Sequence, residues 1–170
     1  MEFGIENGYA EEEPAASIAA ELFDRYGDGI LRFAFSHMHN LYDAEDVLQE
    51  TLIRYLENKP KFADMRQEKC WMFKVAANVA KDMLRRRKVR ETEELHENIA
   101  ADSNEELDYI WEAVAMLPMP CRETIHLYYQ EGYSTEEIAM ILDMKTSTVR
   151  SYLKRGRERL KKLLRKDYLG

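Results

Sequence analysis

Glycine, proline and cysteine are all scarce, at 7, 4 and 2 of 170 residues. So few turn formers, with apolar residues recurring three and four positions apart almost everywhere, argue for helices throughout and against any sheet. The expected fold is all-α. Cys70 and Cys121 stand far apart, in neither a Cys-x-x-Cys nor a Cys-x-x-His spacing, which favours structural thiols over a zinc site or a disulfide. Long hydrophobic runs are also missing, so no segment has the length of a bilayer span. The start, Met1-Glu2-Phe3-Gly4 with acids soon after, lacks the basic and apolar parts of a secretory signal. A cytoplasmic protein with no membrane insertion of its own is expected.

The chemistry of an enzyme is equally hard to find. No nucleophile paired with a base, no phosphate-cradling glycine loop and no metal-ligand grouping is visible, so no catalytic residue, cofactor or metal is assigned. His37-x-His39 comes nearest, but residues two apart lie on different faces of a helix and chelation would need a loop.

Positive charge is in deficit as well: 25 Lys and Arg face 32 Asp and Glu, for a net charge of -7. Such a chain repels nucleic acid unless its cations are gathered where phosphates would lie. They are gathered, in two places. In the C-terminal one, Ser134 and Glu137 form a capping box that opens a short helix through Leu142. A turn and a basic segment, Thr148-Val149-Arg150-Ser151-Tyr152-Leu153-Lys154-Arg155, complete a helix-turn-helix pattern. If residues 148–164 are helical, Val149, Leu153, Gly156, Leu160 and Leu163 or Leu164 face inward and Arg150, Ser151, Lys154, Arg155 and Arg157 face out. A helix of that diameter fits the major groove, and Thr146, Ser147 and Thr148 at its start can donate to a phosphate. A basic helix can also merely complete a bundle; the two short capped helices ahead of this one favour DNA.

Residues 1–16 read as a disordered tail, with Glu11-Glu12-Glu13 and little to bury. Over 17–90, three amphipathic helices can share a core: Ser17 to Met38, one capped by Asp43 and running to about Asn58, and Gln67 to about Lys88. The third ends in the second cluster, Lys81, Arg85, Arg86, Arg87, Lys88 and Arg90, with Phe62, Trp71 and Phe73 interleaved. These aromatics suit either a core or the stacking of single-stranded bases. Asn78, a polar amide among alanines, needs either a base edge or a partner inside the bundle. Residues 91–104, acidic and poor in large apolar side chains, read as a flexible linker, and 105–168 as a second helical domain containing the helix-turn-helix.

In order and spacing, three stretches resemble the extracytoplasmic-function (ECF) sigma factors of bacterial RNA polymerase. They are Asp43-Ala44-Glu45-Asp46-Val47-Leu48-Gln49-Glu50, Trp71 through Asn78 with Asp82 to Leu84-Arg85-Arg86, and Leu117-Pro118 leading to the helix-turn-helix. The resemblance implies a non-catalytic subunit that binds core RNA polymerase and promoter DNA, both as duplex and as melted non-template strand, and that an anti-sigma factor restrains. By position, Asp43, Asp46, Gln49, Glu50 and Arg54 would dock polymerase. Phe62, Trp71, Asn78, Lys81, Arg85 and Arg86, with the loop to Arg66, would serve the minus-ten element. Thr146, Ser147, Thr148, Arg150, Ser151, Lys154, Arg155 and Arg157 would serve the minus-thirty-five element. Two positions depart from the family: Lys145 stands where a capping serine is common, which moves the expected cap to Thr146, and Asp143 replaces the glycine of the turn. The rival reading is a conventional helix-turn-helix regulator that acts without polymerase. It leaves the second basic cluster and the acidic helix at Asp43 without a purpose.

Overall fold

The computed structural model describes residues 13–90 and 105–169; residues 1–12 of the expected tail and the expected linker at 91–104 lie outside the described residues. Among the described residues there are seven helices and no strand. Helices α1 (Ala15–Met38), α2 (Leu41–Asn58) and α3 (Met65–Arg90) form the first half. The second half holds α4 (Glu105–Ala115), α5 (Met119–Ile125) with a π-helical turn at His126–Gln130, α6 (Thr135–Leu142) and α7 (Thr146–Leu169).

Local chemistry accounts for the boundaries. α1 opens at Ala15, inside the span expected to be tail, because Pro14 pre-sets the backbone and its carbonyl accepts from the amides of Ser17 and Ile18 at 2.8 and 3.2 Å. α2 is capped by Asn40 rather than by Asp43. The Asn40 side chain accepts from the Asp43 amide at 2.8 Å and donates back to the Asp43 carboxylate at 2.6 Å, so Asp43 lies within the first turn. The Ser134 and Glu137 capping box forms as expected, and Asp143 ends α6 in the left-handed region at φ 53°, which aspartate tolerates better than most residues. The cap position of α7 falls one residue before the expected Thr146: the Lys145 carbonyl accepts from the amides of Thr148 and Val149, and Thr146 is the first helical residue.

Glu68 ties the first three helices together. Its carboxylate accepts from Tyr26 of α1 and Tyr55 of α2, both at 2.6 Å, and from Arg25 at 2.8 Å. Burial alone would raise the pKa of Glu68, but these three bonds outweigh it and hold the carboxyl below its usual range. Around this hub, Ile30, Phe33, Val47, Met72, Phe73 and Ala76 are buried, and the cluster continues without a break into Ile125, Leu127, Ile138, Val149 and Leu153 of the second half. The expected inward stripe of α7 is in place, with Val149, Leu153 and Gly156 buried.

At Gly156, α5 and α7 come so close that a Cβ would lie 2.8 Å from Ile125 Cγ1 and 3.2 Å from its Cδ1. Ile125 is itself fully packed, so it has no room to retreat. Alanine would gain about 1 kcal/mol of helix propensity against an overpacking cost of roughly 1 to 3 kcal/mol. Gly156→Ala is expected to lower stability by about 1 kcal/mol, and Gly156→Leu by more; urea unfolding midpoints at constant m-value check the order.

Candidate nucleic-acid interface

α7 presents its basic side to solvent. Arg150, Ser151, Lys154, Arg155 and Arg157 are all exposed, as is Ser147, while Thr146 and Thr148 are half-buried at the helix start. The side chains are not equally available. Arg150 pairs with exposed Glu136 at 3.3 Å, a contact that competing phosphates can replace. Arg157 instead donates to the Tyr129 hydroxyl at 2.8 Å and lies over the rings of Tyr128 and Tyr129, which turns it toward the π-helical turn at His126–Gln130.

α3 has two distinct sides. Lys74, Asn78 and Arg85 lie along one exposed stripe, with exposed Arg86 adjoining and Arg85 braced by Asp82 at 3.1 Å. Asn78 has no hydrogen-bond partner among the described residues, so the alternative of a bond inside the bundle does not apply. Phe73 is core, whereas Trp71 and Phe62 are half-buried; Trp71 packs edge-on against both Tyr55 and Phe62, and Phe62 lies tilted against Tyr55. Arg87 turns away from this face: it pairs with Asp43 and donates to the Met38 carbonyl at 3.3 Å. That pairing also withdraws Asp43 from the exposed face of α2, where Asp46 and Gln49 remain open, half-buried Glu50 and Arg54 pair at 3.0 Å, and Tyr42 and Ile53 are exposed apolar neighbours.

The other side of α3 meets the second half. Arg66, Lys69, Phe73, Ala77 and Lys81 fall on one helical stripe. Its ends are cationic and its middle is apolar. Arg66 pairs with Glu137 of α6. Lys69 lies 4.0 Å from Glu131 and 5.0 Å from the centre of the Tyr133 ring, which stacks edge-on against Phe73. Lys81 reaches Glu123 of α5 at 3.5 Å. Glu123 also takes His37 of α1 at 3.1 Å, and both side chains are sealed from solvent. Beside it, Arg122 donates to the Ser36 carbonyl at 2.8 Å, near the end of α1, and lies 2.9 Å from His39 Nε2. Burial lowers the pKa of Arg122, with Glu123 pulling the other way.

The seam has a polar defect. Five buried side-chain atoms among the described residues have no hydrogen-bond partner: Arg122 Nε, both ring nitrogens of His126, Glu131 Oε1 and the Tyr133 hydroxyl. All belong to side chains on this contact. His126 Nε2 and Glu131 Oε1 lie 3.5 Å apart without hydrogen-bond geometry. Sequence reasoning overlooked Glu123, Glu131 and Arg122, because isolated charges at helical spacing read as a solvated face until a second helix is laid on them. Lys74 does carry a signal in the sequence, since it stands one turn before Asn78 on the same face.

Comparison with known proteins accounts for both halves. The family description Sigma-70 region 2 matches residues 22–90, and Sigma-70, region 4 matches residues 107–160. The chain is 32% identical over 165 residues to the ECF RNA polymerase sigma factor SigW of Bacillus subtilis, spanning 86% of this chain and 88% of that protein. It is 34% identical over 162 residues to the ECF RNA polymerase sigma factor SigE of Mycolicibacterium smegmatis, spanning 88% of this chain but 61% of that longer protein. Among solved structures, the sigma factor RpoE of Bartonella quintana, crystallised with the anti-sigma factor NepR, superposes with a TM-score of 0.73 at 27% identity, covering 88% of this chain and 97% of that one.

The seam also makes stability depend on pH. Burial lowers the pKa of His126, against the opposing Glu131 carboxylate; burial together with Arg122, His37 and Arg87 lowers that of His39. A histidine whose folded pKa lies below the unfolded value of about 6.5 contributes stability that is complete above that pH and is lost as pH falls through the folded pKa. The urea midpoint should therefore drop between about pH 7.5 and about pH 5.5. His126→Gln should flatten that dependence; midpoints that stay constant in the parent chain would contradict it.

Proposed function

The chain belongs to the ECF sigma factors, and from that premise we propose how its surfaces divide the work of a promoter-specificity subunit of RNA polymerase. Residues 17–90 serve as the domain that binds core polymerase and the minus-ten element, and residues 105–168 as the domain that binds the minus-thirty-five element. The described residues include no helix long and apolar enough to cross a membrane, and the chain is placed with polymerase in the cytoplasm. It carries no reaction of its own: synthesis belongs to the core enzyme.

The observation that carries this division is the exposure of two cationic helical faces on separate halves, Lys74 to Arg86 on α3 and Arg150 to Arg155 on α7. On α7, the first turns reach base edges while Lys154 and Arg155 meet phosphates. On α3, the unpaired Asn78 amide supplies the donor and acceptor that read an extruded base, and Lys74, Arg85 and Arg86 hold the strand around it. Lys74 thus joins the residues suggested by the sequence, and Trp71 with Phe62 forms the aromatic wall behind them. On α2, Asp46 and Gln49 between Tyr42 and Ile53 make an acidic strip with apolar flanks, suited to a basic partner helix of polymerase. An anti-sigma factor, of the kind bound to the related RpoE, fits as a partner that covers the same surfaces.

Reconstitution with core polymerase tests the division. The full chain should direct initiation from its promoters only when core is present. Arg150→Ala with Arg155→Ala should lower that initiation at least tenfold, from the lost Arg150 base contact at about 1 to 3 kcal/mol together with the lost Arg155 phosphate contact, with polymerase binding unchanged. Asp46→Ala with Gln49→Ala should weaken core binding instead. If the arginine pair abolished core binding, the division would be wrong.

A further inference from the structure

Several arginines of this fold are held by carboxylates, as Arg25 is by Glu68 and Arg85 by Asp82. Two on α7 are held by tyrosines instead. Arg157 donates from Nε to the Tyr129 hydroxyl at 2.8 Å, and its guanidinium lies 5.9 Å from the centres of both the Tyr128 and the Tyr129 ring. Arg155 lies 5.7 Å from the centre of the Tyr152 ring. Neither has a carboxylate partner among the described residues. A phenol braces a guanidinium without neutralising it, so both keep their full charge.

The bracing of Arg157 leaves donors to spare. One of its five N–H donors goes to Tyr129, and the four on the terminal nitrogens remain. The Tyr129 oxygen, having accepted that bond, still has its own O–H to give. Arg157, Tyr128 and Tyr129 are all exposed, whereas His126 and Leu127, one step earlier in the same π-helical turn, are buried. The core therefore has no use for the two tyrosine rings. An acceptor with a negative charge and more than one free oxygen satisfies Arg157 and Tyr129 together, and a backbone phosphate is such an acceptor wherever a duplex lies along α7.

The place on the helix fits that role. Arg150, Lys154, Arg157 and Lys161, spaced four, three and four residues apart, form one exposed stripe. Arg155 and Arg157, two residues apart, leave the helix at about 200° to each other, since each residue turns it by about 100°. They therefore face opposite walls of a groove that α7 occupies. Resting on the function proposed above, we infer that Tyr129, with Tyr128 against the same guanidinium, is a positioning residue: it sets Arg157 as the seat for a phosphate on the wall opposite that met by Arg155, and gives its own hydroxyl to the same phosphate. An arginine ordered before DNA arrives loses less rotamer freedom on binding. The seat reads no base; it fixes the register in which the first turns of α7 do so.

The test needs neither promoter nor core polymerase, so its outcome is separate from that of the reconstitution. Anisotropy of the full chain with two duplexes of unrelated mixed sequence, from about 20 to about 150 mM salt, gives the slope of log affinity against log salt. Arg157→Gln should reduce the steepness of that slope by about 0.9, the counterion release at one phosphate. Tyr128→Leu/Tyr129→Leu removes no charge, yet it should weaken binding about threefold to tenfold and take at least half as much from the slope, equally on both duplexes. Tyr129→Phe keeps the ring and should cost about threefold. In an Arg157→Gln background each tyrosine change should lose most of its effect. Helical circular dichroism and the urea midpoint should stay at the parent values, because the altered side chains are exposed. If the leucine pair does not fold, Tyr129→Phe completes the same cycle with Arg157→Gln. A parent affinity flat with salt, a slope unchanged in Arg157→Gln, a tyrosine loss undiminished once Arg157 is gone, or a loss confined to one duplex would each overturn the assignment.

Discussion

A carboxylate as deeply buried as that of Glu123 cannot stand alone. At 1% side-chain exposure it would cost several kcal/mol to keep charged without partners, and both its partners come from the other half of the chain. His37 of α1 lies at 3.1 Å and Lys81 of α3 at 3.5 Å. The His37 ring is itself fixed from behind, its Nδ1 held 2.7 Å from the Phe33 carbonyl, so the nitrogen facing Glu123 is set by the geometry of α1. Next to it, Arg122 carries a charge toward the carbonyl-rich end of α1, where the helix dipole favours it. The arrangement of the two halves follows from this one requirement. Phe33, Phe73, His126 and Tyr133 then close the space around it.

The same logic explains how a chain of net charge -7 keeps DNA-binding surfaces. Its acids are not spread evenly against its bases. Some are spent inside the fold, as Asp43 is on Arg87 and Glu68 is on Arg25. Others face the inner stripe of α3. The outward faces of α3 and α7 are left with a local positive excess, and the field at a surface is set by that local distribution rather than by the total. Glu136, exposed, pairs with Arg150 of α7, and a solvated pair of this kind holds its arginine only weakly.

What the sequence made legible was whatever depends on local periodicity. The all-α class, the capping box of α6, the left-handed Asp143 and the inward stripe of α7 each follow from residues within a few turns of one another. Boundaries set by competition between neighbouring caps were less accessible. Asn40 displaced Asp43 because its amide both accepts from the Asp43 amide and donates to the Asp43 side chain, a two-way bond that a single carboxylate cannot make. Least accessible was the seam between the halves. Nothing local distinguishes Glu123 from a surface glutamate, and the π-helical turn at His126–Gln130, which buries His126 and Leu127 while turning Tyr128 and Tyr129 out, carries no pattern that a period of 3.6 can reveal. Charges on α3 were visible as a cluster, but their division between an outer face and an inner stripe appeared only once the second half was in place.

Two carboxylates in this molecule show why its parts differ in permanence. Glu68 is held by three donors at 2.6 to 2.8 Å from α1 and α2, and its pKa falls despite burial. Glu131 also has a lowered pKa, because His126, Arg32 and Lys69 together outweigh burial, but it draws on longer contacts that reach no good hydrogen-bond geometry at Oε1. The first network is local to one bundle and satisfies every group it buries. The second joins two bundles and leaves polar atoms of the second half, among them Glu131 Oε1 and both His126 ring nitrogens, without a partner. Free energy lost in the second is recovered when water or a ligand reaches those atoms, whereas nothing outside the bundle improves on the first. The three-helix unit around Glu68 is thus held by short bonds made within itself, whereas the contact around Glu131 depends on longer ion pairs.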